Sequence, residues 1–193
     1  HMNPPAGVQT KTVERGMEPK AQVRLVFTGP YEWSPENEYA FYSLGEVLDI
    51  KLREVIREEK SGTYGIGVQP SSSRFPEQRY TFTINWGCDP QRVDELVSTV
   101  FLTLDSLKNT GPDELHITKV RETQLRSYEV DLKENRFWQD ELRSSFYDNL
   151  DPRRILGRKE EVATLSRDMI RDAAKKYLNN QSYVKFILLP EKK

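Results

Sequence analysis

A chain of 193 residues, 36% hydrophobic and 31% charged, can bury ~70% of its unfolded surface in a core of its own and should fold without staples. Twenty-nine Lys and Arg against thirty Asp and Glu leave a formal net charge of -1, so no bulk positive field favours nucleic acid through counterion release. No apolar run approaches the ~20 residues that span a bilayer, and the single cysteine, Cys88, fits either a reducing compartment or a disulfide-free exported protein.

His1 and Met2 read as a cloning scar. Residues 3–19 hold three prolines, two glycines and no apolar periodicity, so residues 1–21 are expected to be a linker or extended lead-in rather than an element. Over 22–28, Val23, Leu25 and Phe27 alternate with Gln22, Arg24 and Thr28, the period of a half-buried strand that stops at Gly29-Pro30. Ser34-Pro35-Glu36 then supplies an N-cap, a proline for the first turn and an acid at the positive helix end. The helix it opens carries the apolar stripe Phe41, Leu44, Leu48, Leu52, Val55 and is expected to end near Ser61-Gly62.

Residues 64–68 and 79–86 each alternate and predict an antiparallel pair of strands. The Ser- and Pro-rich link 69–78 is longer than an ordinary hairpin loop and is a candidate contact loop. Asp89-Pro90 opens a second helix with the stripe Val93, Leu96, Val97, Val100, Phe101, Leu104, Leu107, stopped by Asn109-Thr110-Gly111. Further helix, in more than one piece, is expected from Gly111-Pro112 to about Asn149, a last helix over 160–178 and a closing strand over 183–189. The order predicts an α+β two-layer sandwich, a mainly antiparallel sheet covered by helices, with residues 22–193 as a single domain.

Chemistry-bearing residues are few. Apart from His1, His116 is the only histidine, so a zinc site of two or three His or Cys would have only His116 and the distant Cys88 to draw on, and a Ser-His-Asp triad would have to be built on His116 alone. His116 reads as a helical histidine without a role, and Cys88, after Gly87 with nothing basic beside it, as a structural cysteine. The mixed charges of 51–60 read as a solvated helix face with pairs such as Asp49 and Arg53.

What sets that run apart is its continuation through Ser61-Gly62-Thr63-Tyr64-Gly65, where a helix passes straight into a strand. The string Leu52-Arg53-Glu54-Val55-Ile56-Arg57-Glu58-Glu59-Lys60-Ser61-Gly62-Thr63-Tyr64-Gly65 resembles the C-terminal-half signature of the pitrilysin/insulysin family of zinc peptidases, an arginine followed seven residues later by a tyrosine. Gly111-Pro112-Asp113-Glu114-Leu115 with Lys119, and Asn135-Arg136-Phe137-Trp138, are similar to segments of the same halves.

The resemblance implies a pitrilysin-like fold and a non-metal-binding C-terminal domain of a zinc-dependent metalloendopeptidase, inactive alone. Its partner would be an N-terminal zinc-bearing half, in the same protein or in another subunit, with the inverted H-x-x-E-H motif that is missing here. This domain would form chamber wall, and Arg57 and Tyr64 would bind peptide substrate near the scissile bond. A guanidinium and a phenol can both donate to a peptide carbonyl or to the oxyanion it becomes. The residues by themselves leave another reading open: strand phase puts Tyr64 with Ile66 and Val68, as a core aromatic, and Arg57 falls nearly opposite Leu48, as a solvated arginine. A non-catalytic assembly subunit of the same fold, or an unrelated ferredoxin-like binding domain, are the alternative functions.

Overall fold

The computed structural model describes residues 6–59, 63 and 65–191, with backbone alone at 57–59. Among the described residues five strands, β1 (Val8–Glu14), β2 (Ala21–Pro30), β3 (Gly65–Ser73), β4 (Arg79–Cys88) and β5 (Tyr183–Leu189), form one sheet in the order β1-β5-β2-β4-β3. Every neighbouring pair is antiparallel except β1 with β5. The helices are α1 (Pro35–Leu52), α2 (Val93–Thr110), α3 (Glu114–Asp131), α4 (Asn135–Tyr147), α5 (Arg158–Ala163) and α6 (Arg167–Tyr177). The chain divides into two compact units, one of residues up to 112 and from 168 onward, the other of 113–167.

The α+β fold follows the apolar periods. Val23, Leu25 and Phe27 of β2 and Phe82, Ile84 and Trp86 of β4 are fully or almost fully buried, each side chain contributing about 1.5–3 kcal/mol over its exposed state. Their alternate neighbours are polar except Val26, which is half-buried, and Gly87, so only one sheet face is covered. The cover is α1, α2 and α6: Phe41 of α1 packs edge-on against Phe82 at 5.7 Å and Tyr177 at 4.7 Å, and Phe101 of α2 lies 4.9 Å from Tyr183 of β5. The Tyr80 hydroxyl donates to the Tyr177 carbonyl at 3.1 Å and the Tyr177 hydroxyl to Asn37 Oδ1 at 2.6 Å. This cluster locks α1, α6 and the start of β4, leaving the far end of β4 for other duties.

Local signals explain the caps. Ser34 Oγ accepts from Asn37 N at 3.1 Å with Pro35 opening α1, and Asp89 caps a 3-10 turn at Pro90–Arg92 that leads into α2. Gly111, at φ 73, takes the left-handed conformation that ends α2 and that a β-carbon would disfavour. Within α1, Gly45 permits close approach to β3, since a β-carbon there would lie 2.6 Å from Cγ of Pro70.

Several sequence expectations change. Residues 3–19, expected to hold no element, contain β1, whose residues are all exposed. An edge strand held by ladder hydrogen bonds needs no apolar period to announce it, and Val8, Thr10, Thr12 and Val13 suit an extended backbone. The link 69–78 shrinks to 74–78, because β3 continues through Pro70 to Ser73 as the other edge, where a missing N–H is tolerated. That short loop is ordered by its own contacts, with the Arg74 guanidinium 4.0 Å over the Trp33 ring and Trp33 N donating to Gln78 Oε1 at 2.8 Å.

Helix α1 is α-helical only to Leu52 and continues as a π-helix over Arg53–Glu59; its expected end at Ser61-Gly62 lies outside the described residues. The wider π turn carries the stripe from Leu52 to the fully buried Ile56, and Val55, placed on the stripe by a 3.6-residue period, is only half-buried. The expected helix 160–178 is α5 and α6, broken around Leu165, which is itself buried. In the second unit, the buried Tyr128 hydroxyl of α3 donates to the Ile155 carbonyl at 3.0 Å, and Arg121 donates to the Leu165 carbonyl.

Candidate functional site

The segment joining α1 to β3 holds both predicted substrate contacts. Arg57 sits in the π-helical stretch directly after Ile56. The Arg57 side chain and the whole of Tyr64 lie outside the described residues. Arg57 and Tyr64 accordingly stay as the sequence left them, on either side of a described anchor, Thr63.

Thr63 fixes the entry to β3. Its Oγ1 faces the Gly87 carbonyl at 2.6 Å and the Gly65 carbonyl at 2.8 Å, with one proton to give, and accepts from Gly65 N at 3.0 Å. The start of β3 is thereby stitched to the end of β4, in line with the cross-strand pair Gly65 and Gly87.

Beside this stitch lies the uncovered face of the sheet. Strand register sets its residues in rows: Gly65, Gly87, Gln22, Leu188, Val13 in one, and Gly67, Asn85, Arg24, Phe186, Lys11 in the next. At the β3 end three glycines make a low floor. A β-carbon on Gly65 would meet nothing within 4 Å, one on Gly67 would meet the Gln69 amide nitrogen at 2.7 Å, and one on Gly87 the Gln22 amide nitrogen at 2.8 Å. The amides of Gln22, Gln69 and Asn85 surround that floor, and among the described residues none makes a side-chain hydrogen bond. An amide both donates and accepts, so three unspent amides over bare backbone can pair with the N–H and C=O groups of an extended peptide. Sequence reasoning missed Gln22, Gln69, Asn85 and Gly87, because only cross-strand register brings them together with Gly65 and Gly67.

Among the described residues no three His, Cys, Asp or Glu gather into a set that could hold a metal ion. His116 is buried in the second unit with Nδ1 3.7 Å from Asp113 Oδ2. Cys88 is fully buried at the end of β4, and burial pushes its thiol up, the reverse of an activated nucleophile. A polar hollow by the end of α2 is structural: Lys108 Nζ bonds to Asp105 and Asn180 at 2.8 Å each, and the bonds that Asp105 accepts from Lys108 and from Asn180 Nδ2, the latter at 2.7 Å, hold its carboxyl below the usual range.

The family model described as the peptidase M16 inactive domain matches residues 2–124. The chain belongs to that family. The M16 inactive domain is 33% identical over 116 residues to a Haemophilus influenzae protein named "Probable zinc protease PqqL", and 27% identical over 104 residues to the Arabidopsis thaliana "Zinc protease PQQL-like". These stretches cover 56% and 51% of this chain but only 12% and 11% of those proteins. In fold, it matches the periplasmic protease PqqL of Escherichia coli with TM-score 0.81 at 21% identity, over 97% of this chain and 21% of that one. It matches a peptidase M16 inactive domain from Pseudomonas fluorescens with TM-score 0.78 at 17% identity, over 100% of this chain and 47% of that one.

The C-terminal-half resemblance and the α+β architecture read from the sequence are therefore those of an inactive domain in a zinc-protease family. The residues described here do not fit a zinc ion, and no chemical step is assigned to one. No helix among them is long and apolar enough to cross a membrane.

Proposed function

We propose that this M16 inactive domain is a non-metal-binding wall of the substrate chamber of a zinc-dependent metalloendopeptidase, holding peptide near the scissile bond. The observation that carries the reading is the uncovered sheet face, whose glycine floor and amides lie beside the described anchor Thr63, one residue before Tyr64 in the sequence. Backbone pairing along the floor orients an extended peptide, while Arg57 and Tyr64 donate to the carbonyl under attack and to the oxyanion that follows. Metal and general base come from a zinc-bearing half, in the same protein or in a partner subunit. The chain alone hydrolyses nothing.

The test joins this chain to its natural upstream sequence and compares Arg57→Ala and Tyr64→Phe with the parent on a peptide substrate. Loss of an oxyanion donor lowers kcat by about 100-fold or more. Unchanged turnover in both variants removes the assigned roles. A parent that lacks the inverted zinc motif in every chain it assembles with favours the non-catalytic assembly subunit instead.

A further inference from the structure

The same open face carries a second, chemically different patch at its β5 and β1 end. Phe186, Leu188 and Val13 are 42%, 38% and 46% exposed, which is unusual for apolar residues in the middle of strands, and Val26 and Val184 are half-buried beside them. Register places Phe186 between Arg24 of β2 and Lys11 of β1 in one row. Both cations are exposed, and among the described residues neither is engaged in an ion pair. No Asp or Glu occupies any strand position on this face, and its third cation, Arg79, is already held by Glu77 at 2.6 Å.

We infer that this patch is a specificity subsite for an extended peptide that presents an apolar side chain flanked by carboxylates. The inference rests on the peptide-holding role above and names the substrate class that the role would favour. Apolar area supplies the anchor, and the two uncompensated cations select the flanking charge and reject basic segments. Three strand spacings separate the glycine floor on β3 from Phe186 on β5, about 14 Å, which an extended peptide covers in about four residues. The recognised residue therefore lies about four positions from the segment held over Gly65 and Gly67, and the subsite acts on which peptides bind, not on the bond broken.

The test uses the 193-residue chain and two fluorescent twelve-residue peptides of alanine, serine and glycine, one with a central leucine flanked by two glutamates, the other with that leucine flanked by two lysines. Binding is followed by anisotropy at low salt. The acidic peptide binds more tightly, and the double variant Lys11→Glu with Arg24→Glu weakens it by about tenfold while strengthening the basic peptide. Phe186→Ser weakens both. An Asn85→Ala variant, which alters only the amide floor, separates the two levels of the argument. If it weakens binding while the charge reversal has no effect on either peptide, the subsite is overturned and the peptide-holding role stands. If no variant changes binding, both fall. If the chain instead sediments as a dimer that the charge reversal dissociates, the patch belongs to a second copy and the inference is overturned.

Discussion

Replacing Gly45 by alanine tests the packing that sets the site. In the interior of a helix this change normally stabilises by about 1 kcal/mol, because glycine pays more backbone entropy. Here the new methyl would lie 2.6 Å from Cγ and 2.9 Å from Cδ of Pro70, a ring that cannot rotate aside as a flexible side chain would. Overpacking of this kind costs about 1–3 kcal/mol, and with a rigid partner at that distance the upper part of the range applies, for a net loss of about 1–2 kcal/mol. With a urea dependence of about 3 kcal/mol/M, the unfolding midpoint falls by about 0.5 M. A double-mutant cycle isolates the cause: Pro70→Ala removes both clashing carbons, so Gly45→Ala in that background should recover its helical advantage. A Gly45→Ala variant as stable as the parent, or the same loss with Pro70 absent, refutes the claim that this contact fixes α1 against β3.

Three further outcomes follow from the geometry. Gly65→Ala places its methyl in open space, so the denaturation midpoint should hold or rise while affinity for peptides drops, as titration of the same variant measures. Thr63→Val deletes the hydroxyl that stitches Gly87 to Gly65 and should cost about 1–2 kcal/mol in urea unfolding, with no loss expected if those bonds are not made in solution. Burial pushes the Tyr177 hydroxyl up to about 12 from 10.0 and also raises Tyr80, so above pH 10 the unfolded chain sheds protons that the folded chain keeps; stability should fall from pH 10 toward 12, less steeply in Tyr177→Phe, and a flat parent profile would contradict this.

What could be read from the sequence was whatever announces itself along the chain. The period of two in Val23-Leu25-Phe27 and the 3.6-residue stripe of α2 report burial on one side, and the structure buries those residues apart from Phe101, which is half-buried. Strand β1 and the extension of β3 escaped notice because edge strands draw on backbone pairing from one neighbour and need no apolar alternation. The π-helix escaped because its hydrogen-bond shift leaves no compositional mark, yet it decides which residue follows Leu52 into the core. The site was legible only where a contiguous string carried it. Gln22, Asn85 and Gln69 come from three strands, and no spacing rule in one dimension could join them.

The glycines argue that the open face is more than the unused side of a sheet. Glycine within a strand weakens it, by roughly 0.5–1 kcal/mol relative to alanine, and is retained where something compensates. At Gly45 the compensation is visible in the Pro70 ring. At Gly65 none is found among the described residues: the residue takes no left-handed conformation and a β-carbon there would meet nothing within 4 Å. A backbone left bare at a cost, beside amides that make no side-chain hydrogen bond among the described residues, is the arrangement expected when another chain must come within hydrogen-bonding distance of that strand. The cost is then recovered on binding, which is why Gly65→Ala should separate stability from affinity.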